Sequence, residues 1–139
     1  MDDSKVNILN KLKDKECTKI FKDAKIATVI LFGSILTEDF EEYSDIDIAV
    51  LSKKDITFNT IIFIEESLQK VLGRDIDVVN LKSENIELNM KVSIYDNGQI
   101  IYDDDNLELY SKGYAEVEQL YKDNETFRFF RERDVIFNE

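Results

Sequence analysis

The strongest constraint on this chain is a pair of apolar runs joined by a short polar segment. Ile26 to Phe32 (IATVILF) is β-branched and continuously apolar, the pattern of a strand buried on both faces. Gly33-Ser34 breaks it. After ten further residues, Asp45-Ile46-Asp47 opens a second apolar run that ends at Leu51. Residues two apart on a strand share a face. Asp45 and Asp47 therefore point one way, while Ile46, Ile48 and Val50 point the other way into a core. A glycine after a buried strand lets a ligand approach the backbone closely. A serine that opens a helix there turns its N–H and hydroxyl toward a phosphate. Two neighbouring carboxylates raise each other's pKa unless something positive lies between them, and Mg²⁺, a hard cation with oxygen ligands, suits that place. Taken singly, the glycine-serine is also an ordinary turn and the aspartate pair an ordinary solvated strand end.

A third apolar run, Asp75 to Leu81 (DIDVVNL), again begins on aspartates. Asp75 and Asp77 share parity, so either can face the same site as Asp45 and Asp47.

The remaining segments are helical or turn-like. Ser4 is placed to cap a helix to about Asp23, with Val6, Leu9, Leu12, Ile20 and Phe21 as an imperfect stripe. Phe58 to Leu72 reads as an amphipathic helix with Phe58, Ile61, Ile62, Glu65, Leu68 and Leu72 near one face, stopped by Gly73. Ser83 is placed to cap a helix to about Val92. Asn97-Gly98 signals a turn before a short strand, Gln99 to Tyr102. Leu107 to Tyr121 reads as a last helix, with Tyr110, Tyr114 and Tyr121 on one face as core packing. The tail from Thr126 to Phe137 alternates aromatic and charged residues. There, Phe127, Phe129, Phe130 and Phe137 with Arg128, Arg131 and Arg133 suit a partner-docking surface. Without a Pro, Gly or Ser cluster to mark a linker, residues 1–139 are expected to form one α/β (α+β) domain. Its small mixed sheet is flanked by helices and ends in a C-terminal helix.

Composition removes several chemistries. The chain has no histidine and one cysteine, Cys17. That excludes Ser-His-Asp and Cys-His catalysis, His-ligated zinc and an intrachain disulfide. A formal net charge of −12 repels a phosphate backbone, so no direct nucleic-acid binding is expected. No apolar run approaches the ~20 residues of a membrane span, and the charged N-terminus does not read as a signal segment. The expected location is the cytoplasm.

The combination of Gly33-Ser34, ten residues, Asp45-x-Asp47 and a third acid on a following strand resembles the DNA polymerase beta-like nucleotidyltransferase superfamily. The resemblance implies that Gly33 and Ser34 hold a nucleotide triphosphate, and that Asp45 and Asp47 ligate a pair of Mg²⁺ ions. A third carboxylate completes the metal site and helps activate the attacking hydroxyl. The family's third acid lies one residue into its apolar run, which favours Asp77, with Asp75 as the fallback. Within the superfamily, the small size and the NGQIIYDDD segment resemble the MntA-like antitoxins of HEPN/MNT toxin–antitoxin pairs. That implies transfer of AMP from ATP to a tyrosine hydroxyl of a HEPN ribonuclease toxin. One departure stands out. Thr37-Glu38 occupies the place where relatives carry a basic residue and a glycine, with Lys53, Lys54 or Arg74 as candidate substitutes. Two alternatives remain: an antitoxin that acts by binding alone, and an aminoglycoside-type small-molecule nucleotidyltransferase.

Overall fold

The computed structural model describes the backbone of residues 3–137 and the side chains of residues 4–125. Four strands form one mixed sheet in the order β3-β2-β1-β4. These are β1 (Thr28–Phe32), β2 (Ile46–Leu51), β3 (Ile76–Asn80) and β4 (Gln99–Asp103). β1 runs antiparallel to β2 and β4, whereas β2 and β3 are parallel. The parallel pair needs a crossover, which α3 (Phe58–Leu72) supplies. The expected mixed sheet with flanking helices and a C-terminal helix is the observed architecture.

The sheet is covered on both faces. Alternate residues Val29, Leu31, Ile46, Ile48, Val50, Ile76 and Val78 pack against α1 (Asp3–Leu12), α2 (Lys15–Asp23) and α3. Ile30, Ala49 and Leu51 pack the other way, against α4 (Leu88–Asn97) and α5 (Glu108–Phe137). Full burial of side chains such as Leu12, Phe21, Ile48 and Leu68 contributes roughly 1.5–3 kcal/mol each. The two faces thus hold the strand ends, and with them the polar residues at those ends, in fixed register.

Local chemistry sets several boundaries. The first helix is two helices, not one: Asp14 accepts a 2.9 Å hydrogen bond from the Lys15 N–H and starts α2. The Thr57 hydroxyl caps α3 by accepting from the Thr60 N–H at 3.2 Å. Gly73, at φ +66°, ends α3 in the left-handed conformation. The helix expected from Ser83 begins later, at Leu88, because the Ser83 hydroxyl accepts from the Asn85 N–H and closes a local turn instead. Phe58 is 76% exposed, and Ile64 takes the buried place on α3. Tyr110 and Tyr114 pack on the second core as expected, while Tyr121 faces outward. The side chains from Phe127 to Phe137, expected as a docking surface, lie outside the described side chains. Among the described residues no helix is long and apolar enough to cross a membrane.

Candidate active site

Asp47 and Asp77 are register partners across the parallel β2–β3 pair. Asp45 directly precedes β2. Parity places Asp47 on the same face as Ala49 and Leu51, and Asp77 on the same face as Val79, which is the α4–α5 face. All three aspartates sit at the end of the sheet where β1 stops and Gly33 begins, since Phe32 pairs with Asp47.

Gly33 has φ +84°, a conformation that side chains oppose. A Cβ on it would overlap Asp47 Oδ2 and come within 3.1 Å of the carboxyl carbon. The glycine is therefore required both by the turn and by the carboxylate above it. A short 3-10 helix, Gly33–Leu36, follows directly. Ile35 anchors it in the core, and Ser34 is half-buried. Thr37 closes this turn. Its N–H and its hydroxyl both donate to the Ser34 carbonyl at 2.9 Å.

The electrostatics follow from this crowding. The Asp47 carboxyl is pushed up to about 6, first by burial and then by the negative charges of Asp77 and Asp45. Asp47 thus lies within the field of both other aspartates. Among the described residues no three acidic groups are gathered closely enough to ligate one ion as they stand. Asp45 and Asp77 are exposed, and their side chains can rotate toward a cation. A half-buried carboxylate flanked by two exposed ones that can turn toward it fits a hard divalent ion in donor type and charge.

Cations reach this end of the molecule from elsewhere. The Arg74 guanidinium donates to the carbonyls of Glu41 (3.2 Å) and Ser44 (2.9 Å) and lies 4.6 Å from the Phe40 ring centroid. The Lys5 ammonium, carried on α1, donates to the Thr37 carbonyl and lies 5.8 Å over the same ring. Phe40 therefore stands between two cations, and both fasten the segment that leads from the 3-10 helix to Asp45. Lys53 and Lys54 follow the opposite end of β2, roughly 17–20 Å along the strand, so they do not replace a basic residue at position 37. Sequence reasoning missed Lys5, and no local signal marked it: its contact spans 32 positions.

A polymerase beta nucleotidyltransferase family model matches residues 15–107, more than half of the chain. The chain belongs to the polymerase beta nucleotidyltransferase family. The match includes Gly33, Ser34, Asp45, Asp47 and Asp77, and it supports the expectation of a nucleotidyltransferase. The fold is similar to that of a crystal structure of a toxin–antitoxin with AMP-PNP (TM-score 0.69, 22% identity, covering 92% of this chain and 98% of that chain). It is also similar to tri-AMPylated Shewanella oneidensis HEPN toxin in complex with MNT antitoxin (TM-score 0.65, 22% identity, 95% and 98% covered). A third similar structure is the MntA–HepT toxin–antitoxin (TM-score 0.63, 20% identity, 91% and 98% covered). At these identities the likeness is one of fold. No curated protein gives a significant match.

Proposed function

We propose that this nucleotidyltransferase transfers AMP from ATP to a tyrosine hydroxyl of a HEPN-family toxin, and so acts as a cytoplasmic antitoxin with residues 1–139 as one domain. The observation that carries the reading is the pairing of Asp47 with Asp77 beside Gly33. The similar folds support the choice of partner, since they include a toxin–antitoxin with AMP-PNP and an AMPylated HEPN toxin held by an MNT antitoxin. The net charge of −12 suits a basic, RNA-cutting partner.

The roles follow from position. Asp45, Asp47 and Asp77 would hold two Mg²⁺ ions, which when bound neutralise phosphate charge and lower the pKa of the attacking hydroxyl. Ser34 and the N–H groups that open the 3-10 helix hold the phosphates in line. Gly33 leaves Asp47 Oδ2 uncovered. Asp77, exposed at the head of β3, takes the phenolic proton as the tyrosine oxygen bonds to the α-phosphorus. The bond from that phosphorus to the bridging oxygen breaks, and pyrophosphate leaves with the electron pair. Most of the acceleration is positioning and fixed charge. Lys5 and Arg74 hold the connecting segment in place during this step.

The test is labelled ATP with Mg²⁺ and a folded HEPN partner. Label on a partner tyrosine is expected, and its absence with all components present overturns the reading. A second reading, neutralisation by binding alone, is favoured by Thr37, whose hydroxyl is used inside the turn and offers phosphate no positive charge. It predicts that Asp45→Asn and Asp47→Asn variants still protect cells from the toxin.

A further inference from the structure

A cavity of about 340 Å³ lies between α4, α5 and the residues after β3. It falls within the size range of small-molecule sites. Three lysines reach it from three different elements: Lys82 just after β3, Lys91 on α4 and Lys112 on α5. No ion pair holds any of these ammonium groups among the described residues. In a chain of net charge −12, three unpaired lysines around one cavity, against a single acid, Glu116, form a local reversal of sign. Leu81, Val117 and Leu120 supply apolar wall.

The Tyr95 hydroxyl is the second observation. Tyr95 is 4% exposed and lines the cavity. Its hydroxyl makes no hydrogen bond to the described residues, yet it is not sealed off: Asp105 Oδ1 is the enclosed side-chain polar atom among them that lacks a partner. The ring is fixed by packing on Tyr110 and Tyr114, with centroids 5.3 and 5.1 Å away. Gly113 keeps the hydroxyl clear, because a Cβ there would overlap the Tyr95 oxygen. A hydroxyl on a ring fixed by packing, open to a cavity that three lysines line, is an arrangement that can receive an anion.

We propose that this cavity is a second binding site, separate from the aspartates, for a phosphorylated small molecule. The lysines take the phosphate, the Tyr95 hydroxyl donates to it, and the apolar wall covers the body of the ligand. The cavity shares a sheet face with Asp77 but lies roughly 13 Å further along the β3 direction, four residues on at Leu81. A nucleoside phosphate and free phosphate share the required chemistry.

The experiment is calorimetric titration of the full chain with ADP and, separately, inorganic phosphate. EDTA is present, and the Asp47→Asn background removes the aspartate site as reporter. Saturable ADP binding is expected. It should weaken at least about tenfold in Lys91→Gln/Lys112→Gln and measurably in Tyr95→Phe, which leaves the ring packing intact. Phosphate binding with the same dependence assigns the site to the anion itself. No saturation by either probe below about 1 mM, or saturation indifferent to all three substitutions, overturns the proposal. AMP transfer is not the readout, so the result stands apart from the proposed activity.

Discussion

Gly33 lies so close beneath Asp47 that a single added methyl group would collide with the carboxylate. Gly33→Ala therefore carries two penalties, the left-handed backbone and the overlap with Oδ2. We expect a loss of about 1–2 kcal/mol in stability from the backbone alone, read by thermal or urea unfolding. Activity should fall further than stability, by on the order of 100-fold, because Asp47 is displaced from its neighbours. A variant with normal turnover would show that the close approach is incidental.

Asp47 makes stability depend on pH in a definite direction. Its folded pKa, about 6, lies above its ordinary value of 3.8. The folded chain therefore holds a proton that the unfolded chain releases first. This contribution is intact below pH 3.8 and is lost as pH rises through about 6. Asp47→Asn should remove that part of the decline. Allowing for solvent screening, the metal-free variant should gain on the order of 1 kcal/mol over the native chain above pH 6.5 and nothing at pH 3.5. Mg²⁺ should stabilise the native chain at pH 7 and have little effect on the variant. Unfolding curves across this range, with and without EDTA, provide the measurement.

The register separates the two candidates for the third acid. Asp77 pairs with Asp47 inside the sheet, whereas Asp75 precedes β3 and contributes its carbonyl to the Ile46 N–H at 2.9 Å. Asp77→Asn should lower AMP transfer by about 10²–10⁴-fold. Asp75→Asn preserves that carbonyl and should stay within a few-fold of the native rate. Equal losses from both would reassign the acid.

Much of this site was legible in the sequence because it is built from strand ends. Apolar runs fix the strands, and alternation then decides which face each aspartate takes; Asp45 and Asp47 follow from that, whereas it leaves Asp75 and Asp77 equal, and only the family resemblance favours Asp77. Helix starts were harder to read. Asp14 and Ser83 are both good caps, but one splits a helix and the other closes a turn, and the choice depends on neighbours packed later in folding. The contacts of Lys5 and Arg74 were beyond local reading, since they join residues about thirty positions apart.

Arg74 yields a further prediction. Its two hydrogen bonds to Glu41 and Ser44 carbonyls draw the segment before Asp45 against the start of β3. Arg74→Ala should cost about 1 kcal/mol in stability and raise KM for ATP more than it lowers kcat. Arg74→Lys should restore only part of this, because both bonds leave one nitrogen, Nη1, whose place an ammonium can take, whereas the planar contact with the Phe40 ring is lost. Full rescue by lysine would reduce the role of Arg74 to charge alone.

One of the two edge strands, β3, carries a further device. On its open side, the Val78 N–H donates to Glu65 Oε2 at 3.0 Å, from α3. A stray extended peptide seeking to join the sheet there meets an amide already engaged and a carboxylate in its way. Stacking of one molecule onto another through this border is discouraged, and visitors to the aspartates are left to arrive over the top of the sheet, not by extending it.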